Sequence, residues 1–171
     1  MKIRNSIVML AILLSGMTVG SAFAQEMEPK KTYTKIVSIS ADDAWTELRK
    51  LDQVDKYSST IARVEWSGNM GVGGSRVCYS PDGKGYFKEN IVAFDDTNRT
   101  FTYSLVEGAP IKGMMNTWKV VDLGYKKSMI IWATSFDQFI ENPQMTEDQF
   151  MAFIDSSLNE YVANIVAEVK M

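Results

Sequence analysis

Residues 86–108, YFKENIVAFDDTNRTFTYSLVEG, decide the fold. They read as two long β-strands joined by a turn at Asp95-Asp96-Thr97-Asn98-Arg99. Strand side chains alternate between two faces. Phe87, Glu89, Ile91 and Ala93 therefore share one face of the first strand, and Phe101, Tyr103 and Leu105 share one face of the second. That face is aromatic and aliphatic but carries one acid, Glu89. A carboxylate on the apolar side of a sheet must be paired, protonated or wet. The combination points to a lined cavity rather than a solid core. Asn98-Arg99-Thr100 matches a glycosylation sequon, but tight-turn chemistry accounts for it, with Asn98 accepting the left-handed conformation.

Upstream of the hairpin, residues 32–38 (TYTKIVS) alternate and are rich in β-formers, which predicts a first strand. Ser40 is a helix N-cap, with Asp42 and Asp43 in the first turn, where acids suit the helix dipole. Ala44, Trp45, Leu48 and Leu51 follow at helical spacing, and Trp45 reads as core. A short helix or turn covers residues 53–58. RVEWS (63–67) and SRVCYS (75–80) are strands, joined by the glycine-rich stretch 68–74. That stretch lacks a Gly-Lys-Ser/Thr ending and does not open a helix, so it reads as a mobile hairpin loop rather than a phosphate cradle. Pro81-Asp82-Gly83 makes a turn.

Downstream, residues 109–113 form a loop, 114–123 (MMNTWKVVDL) a strand, and 127–138 (KSMIIWATSFDQ) a strand running back. Thr146 caps a final helix that is predicted to reach Val169. Phe150, Phe153, Ile154, Ser157, Leu158, Tyr161, Ile165 and Val169 recur along it at spacings of three and four. Consecutive strands with short links make an antiparallel sheet, and one amphipathic helix must cover its apolar face. The fold class is α+β.

The N-terminal segment and the composition narrow the function. Residues 1–24 have a basic start, an apolar run and an Ala22-Phe23-Ala24 cleavage site, the pattern of a secretory signal peptide. Export to the periplasm or medium is expected, with no stable membrane anchor after cleavage near Ala24. Residues 25–31 read as a flexible leader and 32–171 as one domain. The full chain carries a formal charge of −3. Losing Lys2 and Arg4 with the signal makes that −5, which argues against nucleic acid or an anionic membrane as main partner. The sequence contains no histidine, which excludes His-based general bases, Ser-His-Asp and Cys-His nucleophile systems and His metal sites. Acids are dispersed and Cys78 is the sole cysteine, so no metal site, cofactor or internal disulfide is expected. Cys78 reads as a small buried hydrophobe.

The chain resembles the START/birch-pollen-allergen superfamily, often called SRPBCC, and within it the polyketide cyclase/dehydrase and lipid-transport branch. The resemblance is carried by Ala41-Asp42-Asp43-Ala44-Trp45, Gly71-Val72-Gly73-Gly74-Ser75-Arg76, and Lys88-Glu89-Asn90-Ile91-Val92-Ala93-Phe94-Asp95 with Phe101-Thr102-Tyr103. Ile131-Trp132-Ala133-Thr134-Ser135-Phe136-Asp137 completes it. It extends over residues 32–170. It implies a helix-grip fold, in which a seven-stranded antiparallel sheet curls around the long C-terminal helix and encloses an apolar cavity. The lining it implies is Phe87, Glu89, Ile91, Tyr103, Leu105, Met115, Thr117, Trp132, Thr134 and Phe136 from the sheet, faced by Phe153, Ser157 and Tyr161 from the helix. The stretches 81–85 and 109–113 would gate the mouth, although Pro110-Ile111 depart from the polar residues of the hormone-receptor pattern.

Three functions follow as expectations. One is an exported, non-catalytic carrier of a small hydrophobic ligand, lipid-like or polyketide-like. A second is a cyclase, aromatase or dehydratase with Glu89 as general acid/base, its pKa raised by an apolar site. A plainer reading pairs Glu89 with Lys88, Arg76 or Lys119 and fills the interior with Trp45, Trp66, Trp118 and Trp132, leaving a structural role.

Overall fold

The computed structural model describes residues 28–141 and 143–171. The signal-peptide reading of 1–24 and residues 25–27 of the leader fall outside them. The end of the leader is instead held against the sheet, with Lys30 N–H on the Thr134 carbonyl at 2.8 Å and Lys31 already in the first strand. In chain order the elements are β1 (Lys31–Val37), α1 (Ala41–Leu48), α2 (Val54–Tyr57), β2 (Arg63–Ser67), β3 (Ser75–Tyr79) and β4 (Tyr86–Asp95). They continue with β5 (Thr100–Glu107), β6 (Ile111–Lys112), β7 (Met115–Gly124), β8 (Lys127–Ser135), β9 (Gln138–Phe139) and α3 (Glu147–Lys170). Seven strands form one antiparallel sheet in the order β1-β8-β7-β5-β4-β3-β2. The fold is the helix-grip α+β arrangement. β1 closes onto β8, and the chain then crosses through α1 and α2 to reach the far edge at β2.

Both principal helices start where local chemistry says they should. The Ser40 hydroxyl accepts the Asp43 backbone N–H at 3.1 Å. Thr146 and Gln149 form a reciprocal capping box, Gln149 N–H to Thr146 Oγ1 at 3.2 Å and Thr146 N–H to Gln149 Oε1 at 2.9 Å. α3 is tied to both flanks of the sheet. On the β1 side Lys31 Nζ meets Asp155 at 2.5 Å and the Tyr33 hydroxyl donates to Asn159 at 3.1 Å. On the α2 side Asn164 Nδ2 donates to the Tyr57 carbonyl at 2.9 Å, and Lys56 meets Glu168 at 2.5 Å.

Four local expectations need correction. The glycine-rich stretch after β2 is pinned rather than mobile: Gly73 N–H bonds the Ile91 carbonyl at 3.1 Å, and Ile91 N–H bonds the Gly74 carbonyl at 2.8 Å. A Cβ on Gly74 would lie 2.3 Å from the Trp66 ring, so the loop closes against that side chain only because Gly74 has none. β4 carries a bulge between Ile91 and Ala93, which turns Ala93 outward and Phe94 inward against the core. The predicted strand 127–138 breaks after Ser135. Its continuation pairs as β9 with β6, so the stretch 109–113 contains a short strand rather than a plain loop. Gly113 at φ +66° lets the chain approach there, since a Cβ would fall 2.1 Å from the Asp137 carboxylate. In the β4–β5 turn, Arg99 rather than Asn98 takes the left-handed conformation (φ 48°). The Asn98 side chain instead donates to Asp95 Oδ2 at 2.7 Å.

The interior has a solid end at α1. Ala44, Leu48, Leu51, Ile130, Val162 and Ile165 are fully buried there. Trp45 stacks near Phe94 and Phe101 and donates its indole N–H to Asp96 at 2.7 Å. Beside this core, buried Glu47 bonds the Tyr57 hydroxyl and, at 2.6 Å, Lys50. Burial would raise the Glu47 pKa, but the Lys50 and Tyr57 hydrogen bonds outweigh it and hold the carboxyl below its ordinary value. A depressed carboxylate pKa stabilises the fold above the unfolded-state value and loses that contribution as pH falls through the folded one. Glu47→Gln is therefore expected to cost about 1–3 kcal/mol at pH 7. In urea melts the gap between variant and wild type should narrow below about pH 4.3, the unfolded-state carboxylate value. A gap that stays constant from pH 7 down to about pH 3, well past that value, would contradict this account.

Candidate ligand cavity

Between the concave sheet face and the N-terminal half of α3 lies a cavity of about 130 Å3. Its back wall is an aromatic row. Phe101, Trp118 and Trp132 stand directly opposite one another across β5, β7 and β8, and on this side of them the packing opens. Phe87, Leu105 and Met114 carry the sheet wall outward. Phe150, Phe153, Ile154, Ser157, Leu158 and Tyr161, at helical spacing on α3, form the roof. The segment after α2 adds Ser58, Thr60 and Ile61.

One charged pair sits in this wall. Arg76 and Glu89 face each other across β3 and β4, with Arg76 Nε donating to Glu89 Oε2 at 2.5 Å. Their side chains are 5% and 12% exposed. Arg76 Nη1 donates to the Leu51 carbonyl at 2.7 Å, and the guanidinium lies 5.1 Å from the Tyr103 ring centroid. Burial by itself would lower the Arg76 pKa, but the Glu89 charge more than reverses that, so the guanidinium stays charged. The acid that stands out in the sequence is thus half of a buried ion pair.

The remaining polar groups are neutral. Desolvation, reinforced by the Glu89 charge, pushes the Tyr103 hydroxyl well above its ordinary pKa. Desolvation also raises Tyr161, against the pull of Arg76. Both stay protonated. Cys78 on β3 lines the cavity and its thiol is pushed up to about 12, chiefly by burial, so it packs as an apolar group rather than a nucleophile. Among the described residues no group of three or more metal-ligating side chains comes together.

Eight of the thirteen residues expected to line the cavity do so: Phe87, Glu89, Tyr103, Leu105, Trp132, Phe153, Ser157 and Tyr161. Ile91 and Thr134 face inward and are buried, but they belong to the solid core or its margin. Phe136 is buried beyond the end of β8, beneath Lys30 at 4.0 Å from its ring centroid. Met115 and Thr117 are on the wrong face. The register of β7 turns Met114, Asn116, Trp118 and Val120 inward, and Thr117 instead bonds Thr102 at 2.8 Å on the outer face. Sequence carries a signal for this: the Met115 parity also includes Lys119, whereas the Asn116 parity includes Trp118 and Val120. Asn116 is the cavity residue that strand-by-strand reading misses. Arg76 and Trp118 enter that reading only as a possible partner of Glu89 and as interior filling, and the structure places both in the cavity wall.

Removing one member of a buried ion pair strands the other charge, whereas replacing both with apolar groups does not. Glu89→Gln is expected to destabilise the protein by about 3–5 kcal/mol. The double variant Arg76→Met/Glu89→Leu should recover most of that loss in denaturant melts. A double variant no more stable than Glu89→Gln would show that the pair is net stabilising rather than a cost the fold carries.

Residues 28–169 match the family model described as polyketide cyclase/dehydrase and lipid transport. Among solved structures, the protein XoxI from Bacillus cereus superposes with a TM-score of 0.70 at 16% identity, covering 81% of this chain and 94% of that one. The Zhui aromatase/cyclase from Streptomyces sp. R1128 gives 0.67 at 17% identity, covering 82% and 92%. Norcoclaurine synthase from Thalictrum flavum, in complex with dopamine and hydroxybenzaldehyde, gives 0.66 at 21% identity, covering 81% and 84%. At these identities the structural likenesses establish the fold alone. No curated protein matches the chain in sequence. With the family model spanning nearly the whole domain and the helix-grip architecture agreeing with it, the chain belongs to the polyketide cyclase/dehydrase and lipid-transport family of SRPBCC proteins.

Proposed function

We propose that this protein is an exported carrier that holds a small hydrophobic ligand between the sheet and α3. The observation that carries this reading is the state of Glu89. A general base needs a free carboxylate, and Glu89 is bonded to Arg76 at 2.5 Å inside the wall. The chain has no histidine to relay a proton in its place. What remains is an apolar, aromatic enclosure with a few placed polar groups, which is how binding sites for small apolar molecules are built. Export is supported by the signal pattern of residues 1–24, with its Ala22-Phe23-Ala24 site. A cyclase or dehydratase using Glu89 would require the Arg76 pair to open during the reaction.

Two measurements test the proposal. Intact mass of the protein recovered from the periplasm or medium should correspond to a chain beginning at Gln25. Full-length protein retained in the cytoplasm would remove the export half. Native mass spectrometry of the same material should show a bound small molecule that is released on denaturation. An empty protein that also ignores apolar fluorescent probes would overturn the carrier half.

A further inference from the structure

The cavity's volume and its unpartnered polar atoms together specify a ligand class. A row of polar side chains crosses the concave face: Tyr103 on β5 stands opposite Asn116 on β7, which stands opposite Thr134 on β8. Directly opposite residues in adjacent strands share a face and lie close together. Asn116 is 2% exposed and lines the cavity, yet its side-chain oxygen has no hydrogen-bond partner among the described residues. The Thr134 hydroxyl behind it has none either. Tyr103 accepts the Trp132 indole N–H at 3.3 Å, which leaves its own O–H free to donate. Buried polar groups in a folded protein normally have partners, so an orphaned amide at a cavity wall marks the place where a bound molecule supplies one.

The missing partner has to be neutral. Arg76 is occupied by Glu89 and the Leu51 carbonyl, so among the described residues the wall holds no unpaired cation for an anion. An anionic ligand would instead be brought near the Glu89 carboxylate. The partner also has to be small. Sites for drug-sized molecules run to about 300–1,000 Å3, whereas an engineered apolar cavity of about 150 Å3 takes a single benzene. The 130 Å3 found here is of the second kind. Its aromatic row of Phe101, Trp118 and Trp132 offers ring faces and edges for an aromatic guest.

We propose that the cavity selects a single neutral hydroxylated aromatic ring, a phenol, whose hydroxyl bonds the Asn116 amide and the Tyr103 hydroxyl while the ring lies against the aromatic row. Asn116 is then the specificity-determining residue, because its amide is the group left unpaired by a ring without a hydroxyl. This inference rests on the carrier reading and narrows it. An acyl chain would extend beyond a cavity of this volume, and toluene fills it without satisfying Asn116.

The test is titration calorimetry on the mature protein with four probes: phenol, toluene, benzoate and decanoate. Phenol is expected to bind at least tenfold more tightly than each of the others. Asn116→Leu should abolish the preference of phenol over toluene, and Tyr103→Phe should reduce it several-fold. Thr117→Val, on the outer face, should leave it unchanged. Tyr103→Phe decides the matter should Asn116→Leu not fold. Equal binding of phenol and toluene, or tighter binding of benzoate or decanoate, would overturn the phenol class and leave the carrier standing. Binding of none of the four by a protein that still co-purifies with a larger ligand would do the same. Binding of none by a protein that is also empty as purified would overturn both.

Discussion

A buried charge must find its opposite or leave the interior, and in this protein that constraint settles how the sheet, the first helices and the cavity are arranged. Arg76 reaches across from β3 to Glu89 on β4 and across the open end of the sheet to the carbonyl of Leu51. One guanidinium thus joins two strands to the segment that follows α1. Its other face lies over the Tyr103 ring, so the same group helps to place a side chain of the cavity wall. A lysine would supply the charge but not the fork that bonds a carboxylate and a carbonyl at once.

The aromatic row of β5, β7 and β8 marks a change within the interior. Toward α1, the apolar side chains close on one another and on α3 as a continuous core. Toward the N-terminus of α3, the aromatic row of Phe101, Trp118 and Trp132 ends the solid packing and begins the cavity. Large rings line this boundary on the sheet side, and the lining contributed by α3 includes Ser157, a small residue. Tyr161 bridges the two regions. It packs on Trp118 with centroids 5.5 Å apart and on Tyr57 at 5.4 Å, and Tyr57 in turn is fixed by Glu47.

Chemical capacity follows from this partition. The ionisable groups of the wall are either paired, as Arg76 and Glu89 are, or pushed toward their neutral forms, as Cys78, Tyr103 and Tyr161 are. Among the described residues of the wall, the polar groups are therefore a closed ion pair and neutral hydrogen-bonding side chains. Family membership alone would not separate these outcomes, because the fold supports both binding and catalysis and the difference resides in the site.

Much of the architecture is legible in the chain because it is set by local chemistry and periodicity. Alternation marks β4 and β5, Ser40 and Thr146 mark the helix starts, and the spacing from Phe150 to Tyr161 marks the helix face that roofs the cavity. The sequence also shows that Glu89 lies on the wrong side of the sheet for a solvated acid. Tertiary structure alone decided the rest, for two physical reasons. A strand's register flips every side chain when it slips by one residue, so the turn at Gly113 and the bulge at Ile91–Ala93 determined that Asn116 and Phe94 face inward while Met115, Thr117 and Ala93 do not. Partner choice for a buried charge depends on distances between strands, so Arg76, and neither Lys88 nor Lys119, became the counter-ion of Glu89 once β3 lay beside β4.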